Sequence, residues 1–232
     1  MYLKKLGCII FARSNSRRLN KKVLKEINGI PLILIVYSRV KKIFPKKKIV
    51  IATSKNKSDD RLVKICKKNK INYFRGSLNN VYERSVQCCK KFNFDSFMRV
   101  CSDRPFFYYE LAIKMKKIFI KGKYDIVTNV FPKSYPKGLA CEFIKLKTMD
   151  NVRRKMLNKS DKEHIISYFY KNSKNFAIKN YNSKLNKNNQ NLNLSIDNLK
   201  DFKKVHKILE KNSFNTTLST KTALNYLIEK IK

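Results

Sequence analysis

Short apolar runs of strand length alternate along this chain with longer segments in which apolar residues recur at helical spacing. That alternation predicts an α/β domain with a largely parallel sheet. Strands are expected at Lys5–Ala12, Lys48–Ala52, Ile71–Phe74, Ser96–Val100, Asp125–Asn129 and Leu192–Ile196, each rich in Ile, Val, Phe or Tyr. Helices are expected between them: from Pro31 to about Ile43, then Ser58–Asn69, Asn80–Phe92 and Tyr108–Ile120. After Asn129 the order changes, because Pro132, Pro136 and Gly138 break the chain. A strand at Leu139–Leu146 and helices at Thr148–Leu157 and Asp161–Asn172 then read as an arm, residues 132–175, inserted in a single domain of residues 1–232. The Asn-rich stretch Asn182–Asn191 reads as a solvated loop, and Leu199–Lys211 and Lys221–Lys232 as closing helices.

Several function classes fall away on composition. The longest apolar run, Ile30–Tyr37, includes Pro31 and is far shorter than the roughly 18 residues a membrane-spanning helix needs, so no membrane role is expected. Lys4 and Lys5 before Leu6–Ala12 imitate a signal peptide, but Arg13 interrupts the run too early, and a buried first strand is the reading. Cys8, Cys66, Cys88, Cys89, Cys101 and Cys141 contain no C-x-x-C pair; they read as reduced thiols of a cytoplasmic protein rather than as a zinc or disulfide framework.

The formal charge of +38 raises the question of nucleic acid. Lysines are spread from Lys4 to Lys232 among abundant Asn and Ile, which is a compositional pattern rather than a patch. Nucleic acid is therefore not the expected partner, although the field attracts anionic substrates.

The segment from Ile9 to Leu24 carries the most chemistry. A strand feeds Ala12-Arg13-Ser14-Asn15-Ser16-Arg17-Arg18-Leu19-Asn20-Lys21-Lys22, a small-residue basic loop. At the carboxyl edge of a parallel sheet such a loop borders the ligand crevice, and its N–H groups and cations suit a triphosphate. An ordinary basic surface loop is the alternative.

These residues resemble the opening A-R-x-G-S-x-R-L-P-G-K motif of the spore-coat-polysaccharide-type cytidylyltransferases, relatives of the acylneuraminate and 3-deoxy-manno-octulosonate cytidylyltransferases. Ala12, Arg13, Ser16, Arg18, Leu19 and Lys22 match, and Asn28-Gly29-Ile30-Pro31-Leu32 is similar to N-G-x-P-L. Asn15 replaces the usual Gly, and Asn20-Lys21 replace Pro-Gly. The resemblance extends through Ile49-Val50-Ile51-Ala52-Thr53-Ser54 with Asp59-Asp60, and through Phe74-Arg75-Gly76-Ser77 with Val81 and Arg84. It continues in Arg99-Val100-Cys101-Ser102-Asp103-Arg104-Pro105-Phe106, similar to R-x-T-G-D-x-P-L, where Arg104 and Tyr108 stand in place of the commoner Cys and Asp. Thr128-Asn129-Val130 with Tyr135-Pro136-Lys137-Gly138-Leu139 and Glu142, then Glu163-His164, resemble S-N-x…F-P-x-G-L-x-x-E and E-H-V-T. Leu194-Ser195-Ile196-Asp197 with Asp201-Phe202 is similar to W-T-V-D-x-x-x-D-F, with Asn193 and Leu194 in place of Arg-Trp.

The resemblance implies a nucleotide-diphospho-sugar-transferase-like, three-layer α/β/α fold that moves CMP from CTP to an acidic 2-keto sugar and releases pyrophosphate. It implies Arg13, Lys22 and Asp103 as catalytic residues, and Asp103 with Asp197 as ligands of Mg²⁺. The nucleotide would be held by Ala12, Arg13, Ser14, Asn15, Ser16, Arg18, Lys22, Ala52, Thr53, Ser54, Arg75, Arg84 and Ser102. The acceptor would be held by Arg104, Asn129, Gly138, Glu142, Glu163 and His164, and the arm would pair two copies as a homodimer. On the residues alone, Asp103 could equally cap a helix, Asp201 could complement a helix dipole, Thr53-Ser54 could begin a turn, and His164 could be structural. Two other classes stay open: a sugar-nucleotide-dependent glycosyltransferase or other nucleotidyl enzyme of the same fold, and a non-catalytic basic nucleic-acid-binding protein. A degenerate enzyme that binds nucleotide without turnover is a further alternative.

Overall fold

In the computed structural model, residues 5–16, 18–155, 158–185 and 187–229 are described; Arg17, Leu157 and Lys230–Lys232, which fall within segments read above, lie outside them. The elements in chain order are β1 (Leu6–Phe11), β2 (Glu26–Ile27), β3 (Ile30–Pro31), α1 (Leu32–Val40), β4 (Ile49–Ser54), α2 (Asp60–Lys68), β5 (Asn72–Gly76), α3 (Val81–Lys91), β6 (Ser96–Cys101) and α4 (Tyr109–Phe119). There follow β7 (Ile126–Thr128), β8 (Glu142–Lys145), α5 (Leu146–Val152), α6 (Lys159–Glu163), α7 (Ser167–Lys171), β9 (Ile178–Asn180), α8 (Lys187–Gln190), α9 (Leu199–Glu210) and α10 (Thr220–Glu229).

One seven-stranded sheet runs β5-β4-β1-β6-β8-β7-β9. The pairs β5/β4, β4/β1 and β1/β6 are parallel, and β8 lies antiparallel between β6 and β7. The continuous apolar runs of the first strands follow from burial on both faces. In β1, Cys8 and Ile10 join the core under α1, α2 and α4, while Ile9 and Phe11 join the core under α3 and the α5–α7 segment. A third cluster seats α9 and α10 against Leu32 and Ile35 of α1 and against Leu139, Leu194 and Ile196. The result is the three-layer α/β/α fold that the family resemblance implied, on the largely parallel sheet that the pattern predicted. Because the chain leaves β1 toward β4 and β5 and then returns to β6 on the other side, the carboxyl ends of β1 and β6 flank a topological switch point, where open α/β sheets bind ligands.

Four expectations need correction. Leu192–Ile196 forms no strand: its one bridge is Lys137 to Asn193, Ser195 N–H donates to the Asn193 side chain, and Ile196 N–H donates to the Asp103 carbonyl. Loop groups thus take the bonds that a ladder would need. The strand read at Leu139–Leu146 is confined to β8, and α5 begins directly at Leu146. The helix read at Asp161–Asn172 is two, interrupted at His164, whose carbonyl accepts from Ser167 N–H and hydroxyl while Ile165 and Ile166 turn into the core. The segment 132–175 does not stand off as an arm, since β8 is an interior strand and Met149, Val152, Ile165 and Phe169 are core.

Candidate active site

The basic loop begins where three strands end together. Ala12 N–H donates to the Ala52 carbonyl at 3.1 Å, and Ser102 N–H donates to the Phe11 carbonyl at 3.0 Å, so the predicted residues Ala12, Ala52 and Ser102 share one sheet edge. The loop then folds back on itself, the Ser14 carbonyl accepting from Ser16 N–H at 3.0 Å and from Lys21 N–H at 3.1 Å. Ser14 is buried with its hydroxyl unpartnered, whereas Asn15 is exposed. Asn15 is not among the left-handed residues; Lys21 is, with φ 51° and ψ 29°. The backbone therefore needs left-handed freedom at Lys21, which stands in place of a family glycine.

A buried carboxylate that the sequence reading quoted but gave no role, Asp59, organises this edge. Asp59 accepts from Ser14 N–H at 2.6 Å, from Ser54 N–H at 3.0 Å and from the Ser54 hydroxyl. Burial alone would push the Asp59 carboxyl up, but these hydrogen bonds outweigh it and hold it below the ordinary carboxylate range. Asp59 thus clamps the basic loop to the end of β4, where Thr53 is also fully buried. Ser54 serves the turn as well, its hydroxyl accepting from Asn56 N–H at 3.2 Å. Arg75 braces the same turn, donating to the Ser54 and Asn56 carbonyls at 3.0 and 2.9 Å and pairing with Asp60 at 2.7 Å. Arg84 is buried, donates to the Ser77 carbonyl at 3.1 Å and has its pKa pushed down to about 10 by burial. Both arginines are thus spent on main-chain carbonyls of the loops that follow β4 and β5.

Across the switch point the two predicted acids meet the basic loop. Lys22 Nζ lies 3.3 Å from Asp103 Oδ2 and 2.5 Å from the Ile196 carbonyl, so one ammonium joins segments separated by 81 and 174 positions. Arg18 pairs with Asp197 Oδ1 at 3.0 Å, and Lys137 pairs with Asp197 Oδ2. Burial would raise the Asp197 carboxyl, but Lys137, Arg18 and Lys22 hold it below its usual range. Gly138 makes this meeting possible: at φ 98° its backbone presses on Leu194 and Ser195 so closely that a Cβ would lie 2.5 Å from their backbone atoms. Asp201 completes a capping box with Asn198 and accepts from Asp197 N–H at 3.0 Å, which fixes Asp201 as a helix-end residue.

Among the described residues, no group of three or more His, Cys, Asp and Glu could hold a metal. The two acids alone are at hand, and they differ. Asp103 Oδ1 is buried without a partner, while both Asp197 oxygens are ion-paired. Asp103 caps no helix: α4 begins after Tyr108 without a side-chain cap. An all-oxygen pair with one free buried oxygen suits a hard divalent cation whose shell is completed by ligand and water.

The predicted acceptor residues are divided among separate contacts. Glu142 is buried in a pair with Arg99 and accepts from the Tyr170 hydroxyl at 2.9 Å, Tyr170 also meeting Thr128 at 2.8 Å. Burial would raise the Glu142 carboxyl, and Arg99 with Arg104 holds it below its usual range. Asn129 is committed to structure, donating to the Leu139 carbonyl at 3.0 Å and accepting from Cys141 N–H at 2.8 Å. Arg13 and Glu163, 150 positions apart, form a half-exposed pair at 3.1 Å, and His164 is an exposed residue beside it.

The sequence model of the cytidylyltransferase family matches residues 7–228 of this chain. The chain is 30% identical over 167 residues to the spore coat polysaccharide biosynthesis protein SpsF of Bacillus subtilis, covering 69% of this chain and 68% of that protein. An uncharacterised protein of Methanocaldococcus jannaschii is 29% identical over 195 residues, 84% of this chain and 79% of its own length. Among solved structures, a cytidylyltransferase of Leptospira borgpetersenii superposes with a TM-score of 0.89 at 24% identity, covering 97% and 94% of the two chains. A CMP:2-keto-3-deoxy-manno-octonic acid synthetase complexed with CTP superposes at 0.69 with 14% identity, over 90% of this chain and all of that one.

Proposed function

Because the chain belongs to the cytidylyltransferase family, we propose that it transfers CMP from CTP to the anomeric hydroxyl of an acidic 2-keto sugar, releasing pyrophosphate. The observation that carries this reading is Lys22, whose single ammonium joins the basic loop, Asp103 and the Asp197 segment at the switch point. The relative complexed with CTP and the spore-coat relative support the nucleotide and the surface-glycan setting respectively.

In the reaction, the sugar hydroxyl oxygen forms a bond to the α-phosphorus while the bond from that phosphorus to the bridging oxygen of pyrophosphate breaks. The hydroxyl proton passes to solvent or to an acceptor group, and pyrophosphate leaves with the electron pair. No covalent enzyme intermediate is needed. Arg13, Arg18 and Lys22 bind the triphosphate and stabilise the charge that grows on the leaving group, so catalysis is positioning and electrostatics. Their internal pairs with Glu163, Asp197 and Asp103 hold them extended toward the crevice before substrate arrives. Asp103 and Asp197 would hold Mg²⁺, which when bound neutralises phosphate charge. A Mycobacterium tuberculosis protein of the same fold forms a complex with manganese, which supports a divalent ion as the cofactor.

The test is thermal stabilisation by CTP, UTP, ATP and GTP with Mg²⁺ on wild type and Asp103→Ala, followed by pyrophosphate release with acidic sugars. A CTP-selective, Mg²⁺-dependent rise that Asp103→Ala reduces is expected. Equal shifts from every polyanion, lost on adding salt, would sink the proposal.

A further inference from the structure

Three guanidinium groups other than that of Arg104 each find at least one acceptor, although Arg39 Nε and Arg84 Nε are buried without a partner. Arg39 donates to the Leu218 and Phe107 carbonyls and to Thr220, Arg84 to the Ser77 carbonyl, and Arg99 to Glu142. Arg104 does not: its Nη1 is buried without a partner, and among the described residues its side chain makes neither a hydrogen bond nor an ion pair. None of its acidic neighbours accepts from it: Glu142 meets Arg99 with one oxygen and the Tyr170 hydroxyl with the other, and Asp103 turns Oδ2 to Lys22 while its Oδ1 is itself buried without a partner. Arg99, Arg104 and Glu142 together carry one positive charge in excess, and Arg104 Nη1 is a buried donor without an acceptor, one residue beyond Asp103. Leaving a buried charged donor so is costly unless a ligand completes it.

A planar fork of N–H donors is matched best by a carboxylate or phosphate, which it can grip through two parallel hydrogen bonds. We propose that Arg104 selects the acceptor by binding its carboxylate, holding the acidic group next to Asp103. This rests on the cytidylyltransferase reading and assigns the acidity of the acceptor to one residue. The competing source of the same chemistry is a phosphate of the nucleotide.

The experiment uses the full chain with a non-hydrolysable CTP analogue and calorimetric titration of 3-deoxy-manno-octulosonate and N-acetylneuraminate, each as free acid and methyl ester. Wild type should bind at least one free acid about tenfold or more tightly than its ester. Arg104→Gln should weaken that acid by roughly 30-fold, to the level of the ester, with the affinity for the analogue within about twofold of wild type. Arg104→Lys, which keeps the charge without the fork, should fall between. Equal binding of acid and ester by wild type, or full acid selectivity in Arg104→Gln, overturns the assignment and leaves the transferase reading intact. A parallel loss of analogue affinity assigns the guanidinium to a nucleotide phosphate instead and also overturns it. Wild type that binds the analogue but neither acid overturns it too, whereas failure to bind the analogue rejects the transferase reading itself. Should Arg104→Gln not fold, the ester comparison and Arg104→Lys decide.

Discussion

The main-chain N–H of Ser14 donates to the carboxylate of Asp59 at 2.6 Å, across 45 positions of sequence. Through this bond and those to Ser54, one buried acid sets where the basic loop leaves the sheet. Asp59→Asn keeps the shape but turns an amide N–H₂ toward main-chain donors. We expect a loss of about 2 kcal/mol of stability, from a donor left facing a donor. For a chain of this size that lowers Tm by roughly 4–8 °C, measurable by calorimetry, and CTP binding weakens with it. Unchanged Tm would show that Asp59 does not clamp the loop.

Acid should unfold the protein through the same group. Asp59, Glu142 and Asp197 are all held below the ordinary carboxylate range in the folded state. The unfolded chain then binds more protons, so their stabilisation is complete above the unfolded values near pH 4 and is lost as pH falls through the lower folded ones. Denaturation midpoints measured from about pH 6 down to pH 3 should fall most steeply below about pH 4.5. Asp59→Asn should flatten that limb; an identical slope in the variant would contradict it.

The fold was legible because burial on both faces of β1, β4 and β6 writes continuous apolar runs, and because the helices between them carry one apolar face. The β2–β3 hairpin was also written, in Asn28 and Gly29 at φ 49° and 71°, the left-handed pair of a tight turn. Its two-residue strands are too short to show a period. The segment Leu192–Ile196 misled because an apolar run marks burial and not a ladder; its partners are loop carbonyls that sequence does not reveal. Ser14, Lys22, Asp103 and Asp197 could be named from their motifs, but their mutual pairing could not. Asp59 and Lys137 stood inside matched segments but were assigned no role, since what each does depends on a contact with a distant loop, Asp59 with Ser14 and Lys137 with Asp197.

Lys21 holds a left-handed backbone for which a side chain costs about 1 kcal/mol. Lys21→Gly should therefore stabilise the protein by about 0.5 kcal/mol, the relief of strain exceeding the greater freedom of glycine in the unfolded chain. Lys21→Val should cost more than about 1 kcal/mol, because a β-branched residue tolerates this conformation least. Urea midpoints of the three chains check the order Gly, Lys, Val; any other order removes the strain argument.

Asp197 is a counter-charge as well as a candidate ligand, since it neutralises Arg18 and Lys137. Asp197→Asn should free both cations, so pyrophosphate without divalent ion binds severalfold more tightly at low salt and loses that gain near 0.5 M salt. Turnover of CTP should nevertheless fall, by about 100-fold or more. The two readouts move in opposite directions, which a general loss of structure would not produce. Pyrophosphate binding that weakens in the variant would refute the counter-charge role.

Gly138 is where the fold and the site make the same demand. Its backbone lies against Leu194 and Ser195, and a Cβ there would sit 2.5 Å from main-chain atoms that no rotamer can move. The neighbouring backbone bonds, Lys137 N–H to the Leu192 carbonyl at 3.0 Å and Leu194 N–H to the Lys137 carbonyl at 2.8 Å, hold this approach in register. Gly138→Ala must push residues 137–138 away from residues 194–195, stretching those bonds and drawing Lys137 from Asp197. The expected cost is about 2–3 kcal/mol from overpacking, with added strain from the positive φ. Lys137→Met separates the two effects, because it removes the ion pair and leaves the backbone approach untouched. Its stability should stay within about 1 kcal/mol of wild type, the worth of a half-exposed pair. If Gly138→Ala is no more destabilising than Lys137→Met, the backbone contact is not what brings the two segments together.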